Sequence, residues 1–172
     1  VSSLDDPGFI LTDYCAGSSN SASGIATPGG IFSFSNIPTM GELLDPITGE
    51  VSGGIMGNSY DIQYATSGIC SDSLIQTLNV IPLPVVTASS IPLSPLCEGD
   101  NLTLIGGGSA SSYTWDNGVV DNTSFTPSVG TVLYTVTGID GITSCENTST
   151  ISVTVNALPV VTASSIPLSP LC

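Results

Sequence analysis

Apolar and polar residues alternate in short runs along this chain. Turn-forming residues separate the runs, and the pattern predicts strands throughout. In the second half, Val85–Ala88 reads as an edge strand after Pro84. Leu102 and Leu104 face inward from Asn101–Ile105, and Tyr113 and Trp115 form the next inward pair. Asp116-Asn117-Gly118 supplies a tight turn, and Phe125 marks another strand. Val132, Tyr134 and Val136 line one face of Thr131–Thr137, as Ile151, Val153 and Val155 line Thr150–Val155. About seven short strands in about 75 residues predict a β-sandwich. In the first half, Phe9–Thr12, Ile31–Phe34, Tyr60–Tyr64 and Leu74–Val80 are the clearest strands. LLDPITGEVSGG (Leu43–Gly54) reads as a hairpin turned by Pro46 and Gly49. No stretch predicts a helix, because Ser, Thr, Gly and Pro dominate over helix formers.

A repeat organises these strands. LPVVTASSIPLSPLC occurs at Leu83–Cys97 and again at Leu158–Cys172, offset by 75 residues. That period suits one small β-domain and exceeds the usual solenoid repeats. The chain therefore reads as a window on a tandem array. Residues 1–82 form a divergent repeat, 83–157 a complete one, and 158–172 the truncated first-strand region of a third. The end at Cys172 reads as a boundary of the window rather than a natural C-terminus. The joints NVIPLPVV (Asn79–Val86) and VNALPVV (Val155–Val161) are short and stiffened by Pro82, Pro84 and Pro159. The expected architecture is all-β, with sandwiches stacked end to end, each adding roughly 30–40 Å.

Composition narrows the function. There is no Lys, Arg or His, and 14 Asp and Glu give a formal net charge of −14. Nucleic-acid binding needs cationic side chains against phosphate, so it is excluded as a role. Anionic lipid surfaces repel such a chain, and no apolar run is long enough for direct membrane insertion. The glycine run Gly106–Gly108 lacks the Lys of a phosphate loop. Ser-His-Asp, Cys-His and Ser-Lys catalysis are impossible, as are Lys–Asn cross-links. Apolar residues make up 41% and mean hydropathy is +0.42, unlike a disordered chain.

The five cysteines are Cys15, Cys70, Cys97, Cys145 and Cys172. Two fall in each complete repeat, so the expected pairs are Cys15–Cys70 and Cys97–Cys145. Cys172 repeats Cys97 and is expected to pair beyond the window. Paired cysteines without a CxxC or His-containing pattern imply an oxidising, extracytoplasmic setting rather than a zinc site. Each expected bridge would close a loop of about 50 residues and pin one end of its sandwich.

Three stretches carry a family resemblance. They are LPVVTASSIPLSPLCEGDNLTLIGGGSASSYTWDNG, FTPSVGTVLYTVTGIDGITSCENTSTISVTV, and FILTDYCAGSSNSASGIATPGGIFSFS with LLDPITGEVSGG. Together they resemble the Ig-like tandem repeats of giant Bacteroidetes cell-surface adhesins of the gliding-motility type, substrates of type IX secretion. The resemblance covers nearly the whole chain. It implies Ig-like sandwiches without catalysis, in stalks or filaments at the bacterial cell surface. It also implies neighbouring repeats of the same chain as partners, and a distal surface or polysaccharide ligand bound elsewhere. Asp72-Ser73-Leu74 resembles the short O-glycosylation signal of these bacteria, which makes Ser73 a candidate acceptor.

Other candidates are weighed against plainer roles. Tyr113 and Trp115 could stack on sugar, but aromatics at alternating strand positions are more often core. Asp5 and Asp6, or Glu98 and Asp100, could hold calcium loosely. Without a DxDxDG loop, solvated acids that keep the chain soluble are the simpler reading. No carboxylate pair is singled out for glycoside hydrolysis, and an enzyme is not expected. Asn101, Asn122 and Asn147 match the N-glycosylation pattern. Two alternatives stand beside the stalk. One is a carbohydrate-binding accessory module using exposed Tyr14, Phe32 and Tyr60. The other is a surface-layer or sheath component.

Overall fold

Alternation of this kind leaves each strand one apolar face, and two such faces must close on each other. A computed structural model describes residues 4–36 and 41–164, and strands are its regular elements throughout. The described chain falls into two units. One runs up to Val85 and takes in Ser109–Ser112 and Ile139–Asn147. The other holds Val86–Gly108, Tyr113–Gly138 and the residues from Thr148 onward.

The first unit contains β1 (Tyr14–Cys15), β2 (Ser19–Asn20), β3 (Ile31–Phe34), β4 (Leu43–Leu44), β5 (Val51–Ser52), β6 (Ser59–Ala65) and β7 (Ser73–Ile81). One sheet has the order β1-β7-β6-β3 and the other β2-β5-β4. The β4–β5 hairpin pairs Leu43 with Ser52 and Leu44 with Val51, across the turn that DPITGE predicts. Asp45 Oδ1 accepts the N–H groups of Ile47 (2.8 Å) and Thr48 (2.9 Å) there, and Gly49 takes φ 68°. The predicted strand at Phe9–Thr12 is reduced to a single bridge, Ile10 to Ser23. Its Phe9 still enters the core, edge-on to Phe32 at 5.4 Å between ring centroids. Tyr64 joins them, its hydroxyl donating to Thr27 O (2.7 Å) and accepting from Gly30 N–H (2.8 Å). Ile62, Leu78 and Val80 complete the buried centre.

The second set of strands is β8 (Val86–Ile91), β9 (Leu96–Cys97), β10 (Leu102–Gly108), β11 (Ser112–Trp115), β12 (Ser124–Phe125), β13 (Gly130–Ile139) and β14 (Glu146–Asn156). Their sheets have the orders β12-β10-β8 and β11-β13-β14-β9. Leu102, Leu104, Trp115, Tyr134, Val136, Val153 and Val155 form the core, as the alternation predicts, and Leu96 of β9 joins them. The turn after Trp115 has Asn117 at φ 53° and Gly118 at φ 72°.

Both sets share one plan. The sheet β3-β6-β7-β1 has the same order as β11-β13-β14-β9, and in each the last strand pairs in parallel with a two-residue early strand. This is an Ig-like β-sandwich. The glycine run belongs to β10 rather than a loop, with Gly106 against the Tyr113 ring. A Cβ on Gly106 would lie 2.7 Å from Tyr113 Cγ. Gly106→Ala is therefore expected to cost about 1–3 kcal/mol through overpacking, read from denaturant unfolding. Gly107→Ala, whose Cβ would meet only Thr87 Oγ1 at 3.0 Å, is expected to cost less.

Candidate functional site

The cysteines are the chemistry this chain has available, and strand geometry sets where each one sits. In β1, Cys15 lies opposite Ile81, at the C-terminal end of β7. Ala16 N–H donates to Ile81 O (2.9 Å), and Ser18 N–H turns back to Cys15 O (3.1 Å) over Gly17 at φ 84°. Cys97 is held in the same way. It lies opposite Asn156, at the end of β14. Glu98 N–H donates to Asn156 O (2.8 Å), and Asp100 N–H returns to Cys97 O (3.1 Å) over Gly99 at φ 91°. Cys70 and Cys145 precede the long last strands, eleven residues before Ile81 and Asn156 respectively.

The disulfide that forms is Cys15–Cys145, with Cα atoms 5.6 Å apart and a sequence separation of 130. Among the described residues, Cys70 and Cys97 are free. This replaces the expected Cys15–Cys70 and Cys97–Cys145 pairs, and strand length is the reason. At about 3.3 Å per residue, Ile81 lies roughly 26 Å along β7 from Ser73, near which Cys70 sits. A disulfide tolerates about 7 Å between Cα atoms. The two cysteines of each sequence repeat therefore stand at opposite ends of its last strand. The bond joins Cys15 to Cys145 instead, and both lie in the unit that runs up to Val85 and takes in Ile139–Asn147. Cys172 lies outside the described residues. A disulfide of this kind persists in oxidising, extracytoplasmic surroundings.

The loop that carries Cys145 is organised by Asp140. Its Oδ1 accepts the N–H groups of Ile142 (2.9 Å) and Thr143 (2.8 Å) and the Thr143 hydroxyl (3.1 Å). Its own N–H donates to Cys145 O (2.9 Å). The Thr143 and Ile142 N–H groups hold the Asp140 carboxyl below the usual aspartate range, as Thr48 and Ile47 do for Asp45. The ionised form is favoured in the folded chain, so this anchoring is present above the ordinary aspartate pKa. It is lost as pH falls through the lowered folded value. The amide signals of Ile142 and Thr143 are expected to titrate by NMR with a midpoint below that of an ordinary aspartate. Asp140→Ala should abolish the transition; an ordinary midpoint would count against the anchor.

The other candidates are dispersed. Trp115 and Tyr134 are buried, Tyr113 is half-buried, and Tyr14, Phe32 and Tyr60 are all core residues. The row of exposed aromatics that carbohydrate stacking would require is thus absent at those three positions. Tyr60 donates its hydroxyl to Glu42 and accepts from Ile55 N–H (3.0 Å). Burial pushes the Tyr14 hydroxyl pKa up. Asp6 Oδ1 accepts from Gly8 N–H (2.8 Å), and Asp5 N–H donates to Cys70 O (3.1 Å). Asp100 Oδ2 accepts from Cys97 N–H (2.8 Å), and Glu98 Oε2 from Leu158 N–H (3.3 Å). Among the described residues, no three His, Cys, Asp or Glu side chains come together as a metal site. Ser73 is exposed at the start of β7 and accepts from Gln63 Nε2 (3.0 Å). Asn101 and Asn122 are exposed; Asn147 is half-buried, its Nδ2 donating to Pro84 O (2.9 Å). An open groove of about 340 Å³ lies between Asn117–Val120, Thr123–Ser128 and Tyr134.

No family model and no curated protein matches the chain. Solved structures do. The fibronectin(III)-like modules of Clostridium thermocellum CbhA align at 14% identity, over 95% of this chain and 99% of theirs, with a TM-score of 0.39. The Ig1–Ig3 ectodomain of mouse nectin-like molecule 4 aligns at 12% identity over 93% and 67%, with a TM-score of 0.36. The protocadherin gammaB7 EC3-6 structure aligns at 14% over 88% and 47%, with a TM-score of 0.32. The assignment of fold rests on the strand orders given above.

Proposed function

We propose that this chain is a structural segment of the stalk or filament of a large secreted bacterial cell-surface adhesin of the gliding or surface-attachment type. The observation that supports the reading is the Cys15–Cys145 bond, which on the tandem-array reading ties one sequence repeat to the next, in a chain whose large aromatics are committed to two cores. A disulfide between successive repeats resists extension and offers no chemistry to a substrate. The resemblance of the repeats adds type IX export, and Ser73 as a glycan acceptor. Neighbouring repeats of the same chain are the direct partners, and ligand recognition belongs to a distal tip. The acidic, lysine-free surface keeps such segments soluble and mutually repelling, with calcium attracted at most loosely. Electron microscopy of the full-length protein on cells, with and without a calcium chelator, tests this reading. Thin fibres beaded at one repeat length are expected. Short globular particles, or glycan-array binding by residues 1–172, would overturn it in favour of a carbohydrate-binding module.

A further inference from the structure

Cys70 and Cys97 have no partner among the described residues, yet each occupies a position that is bonded elsewhere in the chain. Cys97 is the counterpart of Cys15. Both end a two-residue strand beside the end of the last strand, both precede a glycine turn with positive φ, and both share the same pair of backbone hydrogen bonds. Cys70 is the counterpart of Cys145, at the same distance before the residue that pairs with the early cysteine. Both free thiols are accessible: Cys97 is exposed and Cys70 is partly so. Strand length denies either of them a partner inside its own repeat, as it does for Cys15 and Cys145.

We infer that the observed bond is one rung of a regular ladder. Cys97 bonds the late cysteine of the following repeat, and Cys70 bonds the early cysteine of the preceding repeat. Every repeat is then covalently tied to both neighbours, and two free cysteines per two-repeat segment are its open ends. Each rung forms by thiol–disulfide exchange. Two thiols lose two protons and two electrons, and a disulfide oxidant, such as an oxidised dithiol oxidoreductase or glutathione disulfide, is reduced to two thiols. The inference rests on the tandem-array reading and not on adhesion.

The test extends residues 1–172 by a second copy of residues 98–157, completing a third repeat, and folds the chain under a glutathione redox buffer; the copy carries Asn101→Gln and Ile142→Val so that its cysteine peptides differ in mass from those of Cys97 and Cys145. Free thiols are alkylated, and chymotryptic peptides are mapped by mass spectrometry without reduction; trypsin has no site. The expected map keeps Cys15–Cys145 and gains a cross-link between the Cys97 peptide and the appended copy of Cys145, with Cys70 alkylated. In the Cys97→Ser version, that appended cysteine should become alkylatable. An alkylated Cys97 beside an intact Cys15–Cys145 bond overturns the ladder while leaving the array reading standing. So does Cys97 bonded to any other cysteine. Should the extended chain not fold, the same map of the full-length protein from its source decides: a Cys97 peptide linked to the late cysteine of the next repeat supports the ladder, and any other state of Cys97 overturns it. A full-length sequence without flanking repeats would instead remove the array reading itself.

Discussion

Replacing Cys15 or Cys145 with Ser should lower unfolding stability by as much as about 5 kcal/mol, the chain-entropy value for a loop of this size. The bond spans a sequence separation of 130, so its loss frees most of the chain in the unfolded ensemble. Guanidinium unfolding followed by circular dichroism measures this, with the unmodified chain in reductant as the matching control. Cys70→Ser and Cys97→Ser are the discriminating variants. As free thiols they should shift the midpoint little, and reductant should affect them as it affects the parent. Had the bonds been Cys15–Cys70 and Cys97–Cys145, all four substitutions would weaken the chain. Equal losses from Cys70→Ser and Cys15→Ser would sink the observed pairing.

The same bond has a mechanical consequence. A pull applied outside Cys15 and Cys145 passes through the sulfurs, so the residues between them carry no load until the bond is reduced. In single-molecule pulling, reduction should release roughly 400–500 Å of hidden contour length, at about 3.6 Å per residue. No such gain on reduction would mean that the bond does not carry the load.

The sandwich was legible because it depends on local alternation. Leu102, Leu104, Tyr134, Val136, Val153 and Val155 all face the core that their spacing predicts. The pairing of the cysteines was not legible, because it depends on which ends of the strands meet. β1 and β9 are only two residues long, too short for any periodic signal, yet they place Cys15 and Cys97 at the far ends of β7 and β14. A trace of this was present in the sequence: Cys-Ala-Gly and Cys-Glu-Gly mark the same glycine turn in both repeats. Assigning one pair per repeat follows from counting, whereas the strand lengths, about 3.3 Å for each residue, rule it out. Phe9–Thr12 failed for a related reason. Its apolar residues pack, but among the described residues its strand-type bridge is at Ile10 alone; side chains take the neighbouring backbone groups, Gln76 at Phe9 O and Leu11 N–H and Asn20 at Thr12 O. Asp121 and Asp140 went unnoticed as well. In a chain without basic residues, carboxylates are held by N–H and O–H donors, and nothing in the sequence marks which donors will be near.

Asp121 matters most in the second core, where it should show a large coupled effect with Trp115. Its Oδ1 accepts both Trp115 Nε1–H (2.8 Å) and Gly106 N–H (2.7 Å), tying β10 and β11 to the segment before β12. Trp115→Ala removes a buried aromatic and is expected to cost about 3–5 kcal/mol. Asp121→Ala leaves two donors in or near the core without their charged acceptor and is expected to cost about 2–3 kcal/mol. Trp115→Phe keeps most of the packing and loses one hydrogen bond. Combined with Asp121→Ala it should therefore cost less than the sum of the two, by roughly 0.5–3 kcal/mol. Circular dichroism suits the whole cycle, since Trp115 is the sole tryptophan and its fluorescence disappears with it. A Trp115 exposed for stacking on sugar would behave in the opposite way: Trp115→Ala would leave stability within about 0.5 kcal/mol and remove glycan binding instead. The cycle thus separates a side chain that holds the sandwich together from one that serves a ligand. Its burial at 8% exposure places the expected outcome on the side of the sandwich.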